Sequence, residues 1–280
     1  MEDGKDIIKK ILDGDVLSVS GKAFIQEYFY SSCLEKCEFE NCKFSACSFG
    51  WSNLREASFT NCDLSGSTFK ETDLVGSNFE NCRLAGCNFK EAILSQSTFK
   101  DCVFDYSKIK LAELHETRFN NCSGIKVKFS KSDFWDAILE GCRFPEGKFK
   151  RTNFNRAYIL NSEIQNSNLK RANFTSACLM NTTFYLSDLS KACFFNSVLT
   201  KVSFERATLS GTDLRKCLLK NPSFCDTYID GAIILIDSST YKVKLKKKDI
   251  PLPHTWTCKV PGKDNVEISV DVTTTGPYTL

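Results

Sequence analysis

The chain has 280 residues and a formal net charge of only +3, so its bulk charge points to neither a polyanionic nor an acidic partner. It contains no apolar span of membrane-crossing length and no basic-then-apolar leader, which argues for a soluble protein. Two histidines far apart, no phosphate-binding glycine loop and no nucleophile elbow leave little support for catalysis, so no catalytic residue, cofactor or metal ligand is assigned.

In chain order, residues 3–14 carry Ile7, Ile8, Ile11 and Leu12 on one helical face and end at Gly14, the pattern of a short capping helix. Over 16–31, Val19, Phe24 and Phe29 already fall on a five-residue spacing, which marks a degenerate first coil; residues 1–31 are thus read as an N-terminal cap. From Leu34 to Ile234 every fifth residue, 41 positions in all, is Leu, Phe or Ile, with the single exception of Gly124. Two residues before each stands a small one, as in Cys37, Cys42, Cys47, Ser52 and Ala57. A period held this long without insertion is a repeat architecture. A second period lies on the first, because Cys42, Cys62, Cys82, Cys102, Cys122 and Cys142 recur every twenty residues. Four units of five make a coil with four sides, and like residues stack on successive coils about 4.8 Å apart. Most of the fifteen cysteines occupy the inward small position, where they act as compact hydrophobes. Their parallel Cβ vectors suit neither disulfides nor a tetrahedral metal site. The many Phe residues predict a column of stacked rings, and Gly124, followed by Pro145 and Gly147, predicts a local bulge or bend.

Units such as Asn-Cys-Asp-Leu-Ser at 61–65 and Glu-Thr-Asp-Leu-Val at 71–75 resemble the pentapeptide-repeat family, whose consensus is A(D/N)LXX. The resemblance covers roughly residues 32–236. It implies an all-β fold, a right-handed quadrilateral β-helix of about ten coils, with a short N-terminal helical cap. It also implies a scaffold with many uses, in a bacterial cytoplasmic protein or a translocated effector. Some members are similar to duplex DNA in shape and charge and bind type II topoisomerase (gyrase), which requires an extended acidic face.

With the interior committed to packing, function falls to the outward positions. The side centred on Phe49, Phe69, Phe89 and Ile109 carries Lys70, Lys90, Lys108, Lys110, Lys128, Lys131, Lys148, Lys150, Arg151, Lys170, Arg171 and Lys191, opposed only by Glu71, Glu91 and Asp188. That stripe is either a solvated face or a surface for nucleic acid, anionic lipid or an acidic protein. The adjoining side, around Leu114 and Phe134, presents Glu113, Glu116, Asp133 and Asp136 about an exposed Trp135, an interface anchor or an ordinary surface residue. The side centred on Leu139 and Ile159 turns Ile138, Tyr158, Leu160, Cys178, Met180, Val198 and Leu218 outward as an apolar stripe. Such a stripe fits a protein partner, a second copy of the chain, or cover by its own tail.

The frame ends near 236. Over 237–280, alternation at Tyr241, Val243 and Leu245, at Trp256 and Cys258, and from Val266 to Val272 predicts three strands, the last two a hairpin, in a small antiparallel C-terminal cap. The reading that best combines these features is a non-catalytic scaffold for protein–protein interaction. Gyrase binding and polyanion or membrane-surface binding are the alternatives.

Overall fold

The computed structural model of the chain describes residues 8–11, 13, 17–236, 239–242, 256–258 and 266–268. Its body is a parallel β-solenoid of about ten turns, each a twenty-residue coil of four sides. The first side holds an 11-stranded parallel sheet running from Ser18–Ser20 to Leu218–Lys220. The other three sides are bridged coil to coil at 43, 63 and 83, at 48, 68 and 88, and at 53, 73 and 93, always twenty residues apart.

Backbone chemistry explains why a five-residue unit closes on itself. The amide of the small residue donates to the carbonyl of the preceding large one, as from Ser67 to Leu64 at 3.0 Å, and the other amides reach neighbouring coils, as from Leu54 to Asp73 carbonyl at 2.7 Å. The residue between large and small turns the corner at positive φ: 59° at Trp51, 56° at Glu71, 59° at Leu111. This left-handed conformation costs a non-glycine residue roughly 1–2 kcal/mol, and the coil imposes it at nearly every fifth position between 26 and 231. The Asp or Asn before the large residue eases the turn by accepting the amide two residues on. Asp73 does so from Val75 at 3.1 Å and Asn173 from Thr175 at 3.1 Å.

The small inward position is more than a space-saver. Its hydroxyl or thiol donates to the large residue's carbonyl on the previous coil, 23 residues back. Thr72 reaches Phe49 carbonyl at 2.7 Å, Thr152 reaches Phe129 at 3.0 Å, and Cys82 reaches Phe59 at 3.2 Å. The Phe49 carbonyl therefore uses both lone pairs, one on Ser52 amide and one on Thr72. Cysteine, serine and threonine interchange here because each is short and carries one donor. None of the described cysteines is in a disulfide. Burial drives the Cys87 thiol up to about 12 and holds Cys122 well above the ordinary thiol range, so both stay protonated.

The large residues fill the interior, and the phenylalanines form several columns rather than one. Phe29, Phe49, Phe69 and Phe89 stack on the third side at 4.7–4.9 Å, and Phe39, Phe59, Phe79, Phe99 and Phe119 on the first at 4.8–5.0 Å. Rings of the two columns meet edge to face, as Phe79 meets Phe89 at 6.4 Å and 87°. Farther along, the stacks move to the second and fourth sides, Phe184–Phe204–Phe224 and Phe134–Phe154–Phe174–Phe194.

Gly124 sits where the columns change sides, and the expected bulge is absent. Its amide donates to Arg143 carbonyl at 2.9 Å, and Ser123 bridges Val103 and Arg143 in the ordinary register. The glycine serves volume instead. Its coil already holds Phe119, Phe129 and Phe134, whose rings lie 5.3–6.4 Å apart, and Val127 fills what space remains. A Cβ at 124 would come within 2.6 Å of Val127 Cγ2 and 2.9 Å of Phe104 Cβ.

At the N-terminal end, Ile11 of the helical turn 8–11 is buried against the core and Ile8 packs on it; Ile7, Leu12 and Gly14 lie outside the described residues. At the other end, Ile233 makes the last parallel bridge, to Asp213. Then Ile233–Ile236 pairs antiparallel with Ser239–Lys242, so the frame read as far as Ile234 ends in a hairpin. Trp256–Cys258 pairs antiparallel with Val266–Ile268. Val243, Leu245, Pro251, Pro253 and the 261–265 turn lie outside the described residues.

The crowding at Gly124 makes a direct prediction. Gly124→Ala lowers stability by about 1–3 kcal/mol, the usual penalty of overpacking, and adding Val127→Ser returns part of the loss. Denaturant melts of the single and double variants measure both; a neutral Gly124→Ala contradicts the packing account.

Candidate functional site: the outer faces

Every candidate residue lies on one of three flat walls, because positions twenty apart stack in one row. On the third side, Lys108, Lys128 and Lys148 are consecutive bridge partners, so their side chains leave one row on successive coils. Lys70, Lys90, Lys110, Lys150 and Lys170 occupy the row two residues on, and Lys131, Arg151, Arg171 and Lys191 the corner beyond. The stripe is not uniform. At its ends cations are neutralised: Lys70 lies 2.7 Å from Glu71, Lys90 3.0 Å from Glu91, and Lys170 2.9 Å from Asp188. Among the described residues, no carboxylate stands within ion-pair distance of Lys108, Lys110, Lys128, Lys131, Lys148, Lys150, Arg151, Arg171 or Lys191. An open depression of about 440 Å³ borders this middle section, lined by Tyr106, Lys126, Lys128, Glu146, Gly147, Lys148, Asn166 and Asn168. Lys126 pairs with Glu146 across it at 3.4 Å.

The acidic and aromatic group on the fourth side is assembled differently from the sequence reading. Trp135 is half-buried, not exposed. The Arg156 guanidinium lies 5.3 Å from its ring centroid and the His115 ring meets it edge-on at 5.9 Å. Arg156 also binds Asp136, Nε to Oδ1 at 2.8 Å. Asp133 accepts from Asn153 Nδ2 at 2.7 Å and from the Trp135 amide at 3.1 Å, with His115 Nε2 at 3.2 Å. Glu116 accepts from Gln96 at 3.2 Å, which leaves Glu113 as the carboxylate of this group without a hydrogen bond among the described residues. Sequence spacing missed this arrangement because the covering residues come from adjoining coils, about twenty positions away. The cue was present in that same twenty-residue step, which places Arg156 beside Asp136.

On the first side the sheet register brings the apolar residues into two rows. Ile138, Tyr158, Cys178, Val198 and Leu218 are successive partners, with Leu160 and Met180 paired in the parallel row. Tyr158 and Leu218 are each 49% exposed and Met180 42%, whereas the inward residues between the rows are buried.

The repeat is also recognised by comparison. A model described as "Pentapeptide repeat region" matches residues 73–142 and 137–214, and "Pentapeptide repeats (8 copies)" matches 28–61 and 42–81. The chain belongs to the pentapeptide-repeat family. No curated protein sequence matches this pentapeptide-repeat chain. Among solved structures it is similar to HetL, a pentapeptide repeat protein involved in heterocyst differentiation regulation from the cyanobacterium Nostoc sp. Identity to HetL is 16%, covering 86% of this chain and 100% of that one, at a TM-score of 0.49. It is also similar to QnrB1, a plasmid-mediated fluoroquinolone resistance protein, at 19% identity, 78% and 91% coverage and a TM-score of 0.29. Likeness at these identities bears on fold alone. Among the described residues of this family member, no helix is long and apolar enough to cross a membrane.

The covering of Trp135 is testable by fluorescence. In a background with Trp51 and Trp256 changed to Phe, Arg156→Ala uncovers the indole, red-shifts its emission and increases acrylamide quenching. An unchanged quenching constant contradicts the stacking geometry.

Proposed function

We propose that this pentapeptide-repeat chain is a non-catalytic scaffold that docks a protein partner on the first side of the rod, over the coils from Ile138 to Lys220. The observation that carries this reading is the in-register apolar row at Ile138, Tyr158, Cys178, Val198 and Leu218, flanked by Leu160 and Met180. Contiguous exposed apolar surface on a monomer is characteristic of contact sites. A flat sheet face also presents it without rearrangement, so little ordering entropy opposes binding. The non-catalytic part rests on the interior, which Phe, Leu, Ile and short donors fill throughout, and on walls whose charged groups face solvent rather than converge. The gyrase-binding alternative rests on an extended acidic face, and Asp136, Asp133 and Asp73 are each paired with a neighbouring Arg, His or Asn side chain, so no specific observation favours it.

A photo-crosslinking residue at Tyr158 in the producing cells tests the reading. The expected result is one discrete protein adduct, lost when Met180→Glu is added and absent when the probe stands at Arg143 on the second side. Mass analysis separates a different protein from a second copy of the chain. No adduct at Tyr158, or one that persists with Met180→Glu, overturns the reading.

A further inference from the structure

The middle of the third side is the most unusual surface of the molecule, and the proposed protein contact leaves it unused. Over four inter-coil steps, about 19 Å at the strand spacing, nine cations from Lys108 to Lys191 project from one wall with no carboxylate partner among the described residues. The wall is capable of neutralising itself, because it does so nearby through Glu71, Glu91 and Asp188. In this stretch the neighbour twenty residues on is Lys, Ser or Asn rather than an acid: Lys108, Lys128, Lys148 and Asn168 in one row, Lys110, Ser130 and Lys150 in the next.

We infer that this face binds double-stranded nucleic acid along its phosphate backbones. Charge density selects the partner. A duplex carries one negative charge per about 1.7 Å of axis, or about eleven over the same 19 Å, close to the number of unpaired cations. A single strand offers far fewer phosphates over that length. A membrane surface presents anionic head groups diluted among neutral lipids, and it would lie on only part of so dense a patch.

Spacing agrees with density. The row through Lys108, Lys128 and Lys148 and the row through Lys110 and Lys150 are two residues apart along the chain, about 7 Å at the rise of a strand. That separation suits two backbones flanking a minor groove about 6 Å wide. Lysine and arginine reaching phosphates position a duplex without reading its sequence, and the face has no protruding helix or loop to enter a major groove. Binding is therefore insensitive to sequence. The depression beside Tyr106, with Asn166 and Asn168 on its rim, supplies neutral hydrogen-bonding groups next to one backbone.

The test is fluorescence anisotropy of the full chain with a labelled duplex of about 20 base pairs, repeated across salt from about 50 to 200 mM. Binding is expected to weaken by about 1,000-fold over that range, the behaviour of six or more phosphate contacts. Lys128→Gln, Lys148→Gln and Lys150→Gln together should lower the salt slope by about 3, at about 0.9 per lost contact. The control, Lys43→Gln, Lys201→Gln and Lys220→Gln, removes the same charge from other walls and should leave affinity within about twofold. Circular dichroism checks that both triples remain folded. The inference is overturned by salt-independent binding, by equal loss in the control, by single strands bound as tightly as duplex, or by binding to anionic phosphatidylserine vesicles without binding to duplex. The crosslink at Tyr158 reads a different wall, so either proposal can fail while the other stands.

Discussion

The structure depends on one constraint: the backbone of each coil hydrogen-bonds to the coil twenty residues away, and it does so on all four sides. Large-residue amides, turn amides and small-position hydroxyls or thiols all find acceptors on an adjacent coil. This network holds the corners in a conformation that ordinary side chains avoid, including Trp51 and Leu111. A single coil cannot supply those partners, so its strain is sustained only within a stack, as expected where stability comes from interfaces between repeats.

The same constraint converts sequence into surface. Because register is fixed at twenty, residues at equal remainders share a row, and the side chains of a row meet at close range. Phenylalanine rings gain from this by stacking. Asparagines gain by laddering, Asn81 to Asn61 at 2.8 Å and Asn173 to Asn153 at 2.9 Å. Lysines do not gain. A row such as Lys108, Lys128 and Lys148 is a concentration of like charge that the fold tolerates because water and salt screen it, and that an anionic partner relieves.

Much of this was legible before the structure. The five- and twenty-residue periods located the core, the four sides and the rows of Lys70 to Arg171 and Ile138 to Leu218, since an uninterrupted repeat leaves no freedom in which wall a residue joins. Three things were not legible. The positive φ at every corner leaves no compositional trace, because Leu111, Glu116 and Lys131 occupy it as readily as Gly66 does. The use of Gly124 depends on the summed volume of Phe119, Phe129, Phe134 and Val127, a property of a whole coil rather than of a local motif. The pairing of Trp135, Asp133 and Asp136 depends on which rotamers His115 and Arg156 adopt across the coil boundary, which spacing brings near but does not orient. The hairpin beginning at Ile233 was hidden for a related reason: Ile234 satisfies the inward pattern although its strand pairs backwards.

The central claim is that the twenty-residue register, and not merely the five-residue unit, is what the core enforces. Two deletions separate these. Removing residues 80–99 excises one whole coil and restores every side to its own wall. Removing residues 80–84 keeps the five-residue pattern but rotates all that follows by one side, setting Phe89 over Leu64 and Leu94 over Phe69. Thermal melts followed by circular dichroism should show the one-coil deletion unfolding close to the parent and the five-residue deletion unfolding far below both, despite its smaller loss of chain. If the five-residue deletion is as stable as the one-coil deletion, the core does not enforce the walls and the account is wrong.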